Sequence, residues 1–571
     1  MSVKIGEYLF LRLKELGVQT CFGVPGDYEL ATLDLIEDAG LKFSGNPNEL
    51  IASYAADGYG RLNGVGSFIT TFGPGELSAY CGHAGAYTEF VPVAHIVGYP
   101  GRGAMKAHTI MHHTLGTGEF GMYHEMAKHI SCDTVVLMDP ATAPEEIDRC
   151  LQTMLHESRP CYIGIPVDMG QAMCDGSGLE TKLSRDLPPN DPEGEKKLVA
   201  ELRSWLEKKS PILIVDGNAV RNDVVAESQK LSDVTGLPTF TTCMGKGALN
   251  EEAPNYGGVY NGGGSHESVR KAVESADAVF WIGNFPSDFN TAEFTMNVAQ
   301  DITVDFQRFF IKVGSQKHEL KMKYVLQALI KSIEKLPLAR TSTQKVDWDP
   351  YPLSNPGKGT ELTQDYLWAA LGKWFRPGDF AIGETGTSAF GIADSKLPSG
   401  AGLFNQTIFG SIGFATGAAV GAAKAIQERG NYKRCVLVTG EGSFHLTLQA
   451  LMDMLKLRLN PIVIILNNDG YTIERLIHGK DAFYNKLPQI DYSGLAHVFG
   501  PEHPSKYWGP VGTADELHKV LEDSEFNDGE CFRLLELKLG YLDAPASVRQ
   551  AAAAVEAFNQ KKRPQNGSMG G

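Results

Sequence analysis

Two short polar runs carry the clearest chemistry in this chain. Gly440-Glu441-Gly442-Ser443 follows the apolar run Cys435-Val436-Leu437-Val438, and Asn467-Asn468-Asp469-Gly470 follows Ile462-Val463-Ile464-Ile465-Leu466. Short runs this apolar fit strands buried on both faces of a parallel sheet. A helical stretch lies between them, so a right-handed crossover should return the second strand parallel to the first. As neighbours the strands would lie about 4.8 Å apart. Glu441 and Asn468, 27 positions apart, then leave the same sheet edge and converge. A carboxylate and an amide oxygen are hard ligands, and so few of them suit Mg²⁺ completed by phosphate and water. The glycines let backbone N–H groups approach the phosphate, and a helix start adds a favourable dipole. A lone Gly-Glu-Gly reads as a β-turn with a solvated acid; the pairing with Asn468 favours the ligand reading.

Further candidates lie in the first third. Asp27 follows Pro25-Gly26 after a short strand near 21–24, at a strand's carboxyl end. His112 and His113 are adjacent in a loop, and imidazoles pass protons near neutral pH. Alone, the pair reads equally as a surface loop or an incidental metal site. Glu49 alone reads as a solvated helix acid, and Ile412 as a core residue.

The elements that must position these groups follow from pattern and composition. The 571 residues suggest about three domains. Proline-rich stretches at 179–195 and 336–359 read as linkers. They leave a first domain at 1–180, a central domain at 196–336 and a third at 360–571. Ile5, Leu9, Leu13 and Leu16 recur at helical spacing, with Gly17 as the stop. Apolar runs at 68–71, 93–97, 212–215 and 278–282 read as strands. The expected fold is α/β: three doubly wound domains with mainly parallel sheets, whose ligands bind at the carboxyl ends of strands. Gly262-Gly263-Gly264 is read as a loop, with no strand–helix frame for a dinucleotide site.

Composition narrows the class. The net charge is −16, which disfavours nucleic acid and anionic membranes as partners. Nine scattered cysteines without a C-x-x-C pair suggest reduced thiols and a cytoplasmic location. The N-terminus lacks a secretory pattern, and no apolar run has membrane-spanning length. The end, 566–571, reads as frayed.

Gly440-Glu441-Gly442 followed by Asn467-Asn468 resembles the thiamine diphosphate motif, which usually has Asp where this chain has Glu441. The extra methylene moves the carboxylate by about 1.5 Å, which a rotamer or a small backbone shift absorbs. The resemblance extends over nearly the whole chain to the pyruvate decarboxylase family of fungal type. It is carried by Phe22-Gly23-Val24-Pro25-Gly26-Asp27, Asn48-Glu49-Leu50, Tyr54-Ala55-Ala56-Asp57-Gly58-Tyr59, His112-His113-Thr114-Leu115-Gly116, Glu384-Thr385-Gly386-Thr387, Gly410-Ser411-Ile412-Gly413 and Gly470-Tyr471-Thr472-Ile473-Glu474.

The resemblance implies non-oxidative decarboxylation of a 2-oxo acid, most simply pyruvate to acetaldehyde and CO₂. The cofactors would be thiamine diphosphate, acting through its ylid and an enamine, and Mg²⁺. It implies metal ligands at Glu441, Asn468 and Gly470. Cofactor contacts would come from Glu49, Thr387, Gly410, Ile412, Gly442, Ser443 and Ile473. Glu49 would protonate the aminopyrimidine and so needs a raised pKa. Ile412 would wedge beneath the cofactor. Asp27, His112, His113 and Glu474 would handle protons, with Glu474 near the substrate carboxylate. Phe289 and Ala389 would shape the substrate pocket. Some yeast relatives carry a cysteine linked to substrate activation near Ala219, and this chain has none. Sites shared between subunits imply a homodimer or dimer of dimers. Other readings are a decarboxylase of phenylpyruvate, indolepyruvate or branched 2-oxo acids, a carboligase, an acetolactate synthase-type enzyme, and a non-catalytic cofactor-binding relative.

Overall fold

A computed structural model describes residues 2–208, 210–336, 338, 346, 349 and 359–549. Most of the second proposed linker, and the end at 566–571, lie outside the described residues.

The first sheet has six parallel strands in the spatial order Lys42–Gly45, Thr20–Gly23, Gly66–Thr71, Val93–Tyr99, Cys161–Pro166, Thr134–Val136. The third sheet repeats the architecture: Gly402–Asn405, Asp379–Gly383, Arg434–Gly440, Ile462–Asn467, Phe532–Lys538, Ser505–Val511, again all parallel. The central sheet has seven strands. Five are parallel, and the edge is finished by antiparallel Ile311–Val313 and Gln316–His318. Central strands such as Ile462–Asn467 are buried along their whole length because helices cover both faces. The α/β, doubly wound fold expected from the apolar runs is therefore present. The first helix runs Ile5–Glu15 and ends at the Gly17 turn, where φ is +88°.

One expectation is corrected. A strand, Tyr256–Val259, precedes Gly262–Gly264 and a helix, Glu267–Glu274, follows it. The triglycine therefore does lie in a strand–turn–helix frame. The strand was hidden because two of its four residues are glycine and give no apolar run.

The first and third sheets are joined through one close helix pair, Glu49–Asn63 on Phe414–Arg429. A Cβ on Gly58 would fall 2.1 Å from the Ala418 carbonyl, and one on Gly421 1.7 Å from the Ala55 carbonyl. Glycine and alanine on both helices allow this approach, and Phe414, Tyr54 and Phe404 fill the surrounding core. Asn48 caps the first helix, its side chain accepting from Ile51 N–H at 2.8 Å. Glu49 is thereby held at the helix start.

Candidate active site

Strands Arg434–Gly440 and Ile462–Asn467 are adjacent and parallel, with Gly440 opposite Leu466. Glu441 and Asn468 consequently leave the same edge, as their spacing predicted. Glu441 is buried, and its Oε1 accepts from the backbone N–H of Gly470 at 2.6 Å and of Asn468 at 3.3 Å. Burial pushes its carboxyl up to about 7, although both N–H groups pull the other way. One terminal atom of the Asn468 amide lies 2.7 Å from the Gly470 carbonyl oxygen and 3.2 Å from Glu441 Oε1. With the amide oxygen inward, three oxygens meet with no hydrogen between them. Their spacing matches the roughly 3.0 Å between adjacent oxygens of an octahedron with bonds of about 2.1 Å. With the nitrogen inward, its hydrogens bridge the other two oxygens and take the place a cation would fill. The oxygen-inward orientation is the one that fits a small divalent cation.

The loop is held by features that the motif alone did not mark. Arg475, nearly buried, donates to the Asn468 carbonyl at 3.1 Å and to the Asp469 carbonyl. Gly470 has φ +133°, and a Cβ there would meet the Asn485 carbonyl at 2.0 Å, so only glycine fits. The helix Glu441–Thr447 begins at Gly440 with no side-chain cap, which leaves its first N–H groups for an anion.

These residues line a cavity of about 260 Å³. Thr387, Gly410, Ile412, Gly442, Ser443, Ile473 and Glu474 share it with the three metal candidates, and so do Phe289 and Ala389. Ile412 is 39% exposed on this wall, so the core alternative fails. Phe289 sets its ring edge against Phe390 at 5.5 Å. The Ile412 loop is braced from the first sheet: Tyr54 Oη lies 2.5 Å from Ser411 Oγ, and Glu89 accepts from Ile408 N–H at 2.8 Å. Beneath it, buried Glu384 accepts from Thr385 and Ala415 N–H groups and is pushed up to about 8 by burial.

Asp27, His112, His113 and Glu49 do not line that cavity within the one chain. The first three gather by themselves. His112 Nε2 lies 2.6 Å from Asp27 Oδ2, and His113 Nε2 3.7 Å from Asp27 Oδ1. Tyr28 stacks on His112 at 4.8 Å. The three ligand-capable groups are half exposed, as an open cluster should be. Glu49 is half-buried, and burial raises its carboxyl above the ordinary range. Sequence reasoning gave no role to Tyr28, Arg475 or Glu384. Tyr28 had one available signal, its place beside Asp27. Arg475 acts on carbonyls six and seven positions back, and Glu384 on an N–H 31 positions ahead, contacts that exist only once the chain is folded.

Three family models match in order: "Thiamine pyrophosphate enzyme, N-terminal TPP binding domain" at 3–118, the central domain at 200–335 and the C-terminal TPP binding domain at 384–530. Fold, cation site and matches together define a thiamine diphosphate-binding enzyme. Pyruvate decarboxylase of Aspergillus terreus is 43% identical, covering 96% of each chain. Pyruvate decarboxylase isozyme 3 of Saccharomyces cerevisiae is 42% identical, over 98% of this chain and 100% of its own length. Pyruvate decarboxylase of Candida glabrata is 41% identical with the same coverage. The chain belongs to the pyruvate decarboxylase family, thiamine diphosphate-dependent decarboxylases of 2-oxo acids.

Proposed function

We propose that this enzyme decarboxylates pyruvate to acetaldehyde and CO₂, with thiamine diphosphate held through Mg²⁺. The observation that carries the reading is the single cavity that joins the cation site to Thr387, Ile412, Ile473 and Glu474. When bound, thiamine diphosphate supplies a carbon nucleophile and an electron sink for the bond that CO₂ leaves. Glu441, Asn468 and the Gly470 carbonyl hold the metal. Gly442, Ser443 and the uncapped helix start receive the diphosphate, and Thr387 and Gly410 flank the pyrimidine. Ile412 supports the cofactor from below.

Glu49 keeps a proton for the aminopyrimidine, because burial disfavours its ionised form. Glu474, on the wall of the cavity, faces the substrate carboxylate. Asp27, His112 and His113 deliver the proton that replaces CO₂ on the product carbon. Asp27 orients His112 by their 2.6 Å contact.

Two copies are needed on this reading. The cavity takes none of its lining from the Asp27–His112–His113 cluster or Glu49 of the same chain. Exposed Leu446, Ile477 and Phe483 beside the third-sheet site, and Ile110 and Leu115 beside the histidines, support apolar surfaces covered by a second copy. A homodimer or dimer of dimers follows. The division at 1–180, 196–336 and 360–571 is supported by one sheet of six or seven strands in each part. A cytoplasmic location is supported by nine free thiols. Among the described residues no helix is long and apolar enough to cross a membrane. Aromatic or branched 2-oxo acids, carboligation, acetolactate synthase-type chemistry and a non-catalytic role are not favoured, since the relatives carry the pyruvate decarboxylase name.

Glu49→Gln tests the site directly. Exchange of the C2 proton of bound thiamine diphosphate, followed by NMR, should slow about a hundredfold or more. Unchanged exchange contradicts the role given to Glu49.

A further inference from the structure

A buried polar network outside the cavity ends on the histidine loop. Glu76, on the helix Pro74–Thr88, is fully buried. Its Oε1 accepts from the Gly73 N–H at 2.8 Å. Its Oε2 lies 2.8 Å from the Tyr80 hydroxyl and 2.8 Å from the Tyr162 hydroxyl, which lies 2.6 Å from that of Tyr99. The Tyr80 hydroxyl also lies 2.6 Å from the Tyr123 carbonyl oxygen. A hydroxyl has one hydrogen, and a carbonyl oxygen only accepts. The Tyr80 hydrogen can serve only one of these two contacts at a time. When it goes to the Tyr123 carbonyl, the contact between Tyr80 and Glu76 is filled by a hydrogen on Glu76, so the full set of contacts is satisfied by the neutral acid.

The groups facing it agree. They are Tyr80 and His83 from its own helix, His95 and Tyr99 from one strand, Tyr162 from the next, and Tyr123 and His124 from the helix Met122–Lys128. Burial lowers His83 to about 3, His95 far below its ordinary value, and His124 less strongly. None of the three offers a cation near neutral pH. Glu125 and Lys128 on the last helix pair with each other at 2.7 Å, exposed to solvent. Burial pushes Glu76 up to about 7, against the pull of Gly73, Tyr162 and Tyr80.

Two groups press on the His113 carbonyl, and Glu76 holds both. A Cβ on Gly73 would fall 2.1 Å from that oxygen, so the Gly73 backbone packs directly on it. The Tyr123 hydroxyl donates to it at 3.4 Å. Glu76 binds Gly73 by its N–H and Tyr123 through Tyr80. His113 itself has φ +66°, a left-handed conformation that its surroundings must impose.

We propose that Glu76 is a positioning residue for the proton-handling cluster: as a neutral acid it fixes the His112–His113 loop, and ionisation loosens that loop. This rests on the role given above to His113. Glu76→Gln is the decisive variant. Its amide donates to Tyr80 and Tyr162 and accepts from Gly73, but it cannot ionise.

In the holoenzyme, wild-type kcat for CO₂ release should fall on the alkaline side by up to about tenfold per pH unit. In Glu76→Gln that limb should move up by about one unit or more, with the acid limb unchanged. An identical alkaline limb in both proteins overturns the proposal. Two readouts need no turnover. In the wild-type minus Glu76→Gln difference spectrum, the infrared carbonyl band of one protonated carboxyl should be present at low pH and lost as pH rises. The His113 imidazole resonance, assigned with His113→Gln, should follow that titration in wild type only. Absence of the band, or a His113 resonance blind to it, also overturns the proposal. Tyr123→Phe keeps the band, and should cost about fivefold in kcat with little change in KM, the loss expected for one hydrogen bond. If no 2-oxo acid is decarboxylated, the function falls, while the infrared and resonance results still decide the role of Glu76.

Discussion

Glu441 shows how one extra methylene is accommodated. The 467–470 loop wraps the longer carboxylate, so that two backbone N–H groups meet Oε1 while the same oxygen stays 3.2 Å from the Asn468 amide, which itself lies 2.7 Å from the Gly470 carbonyl. Charge and shape can be separated here. Glu441→Gln keeps an acceptor for Gly470 but removes the negative charge that a divalent cation needs. Mg²⁺ affinity, measured by calorimetry in the presence of thiamine diphosphate, should fall about tenfold or more. Unchanged affinity would mean that the cation sits elsewhere. The motif residues were legible because each combines a distinctive side chain with a strand end. Arg475, Glu76 and Glu384 were not, because a buried ionisable group takes its role from groups that only folding brings near. Glu384, for example, is defined by the N–H of Ala415, 31 positions away.

At the scale of elements, the joint between the helices Glu49–Asn63 and Phe414–Arg429 sets the distance between the first and third sheets. Gly421→Ala tests how tightly. Alanine in a helix interior gains about 0.8–1 kcal/mol of propensity over glycine. Here the new methyl would start 1.7 Å from a backbone oxygen that cannot swing away. Overpacking of this kind costs about 1–3 kcal/mol, so the net effect should be a lower thermal unfolding midpoint. A midpoint that rises would mean that the helices are less closely packed than described. Elements built from unbroken apolar runs, such as 278–282 and 462–466, were readable almost to the residue. Strands not read from the sequence include short, glycine-rich or polar ones such as Tyr256–Val259, Gln316–His318 and Ser505–Val511. An edge strand alternates or dilutes its apolar residues because one side faces solvent, and that removes the signal.

At the scale of the whole molecule, the two halves of the chemistry lie on different sheets and do not meet within one cavity of one chain. Residue types predict what a site needs, but not which copy supplies it. A mixing experiment decides. Glu49→Gln damages the first-sheet half and Glu441→Gln the third-sheet half. Co-expressed, they should form mixed dimers in which one site carries both changes and the other carries neither. A statistical mixture should then regain about a quarter of wild-type activity. No recovery, with mixed dimers demonstrated, would place each site within a single chain.

CO₂ release from pyruvate, with thiamine diphosphate and Mg²⁺ added together, singly or withheld and with phenylpyruvate as comparison, decides the activity of this chain. Release should require thiamine diphosphate and Mg²⁺ together, give acetaldehyde in equal amount, and run faster with pyruvate. No release from pyruvate by a chain shown to have bound thiamine diphosphate would contradict the decarboxylase reading.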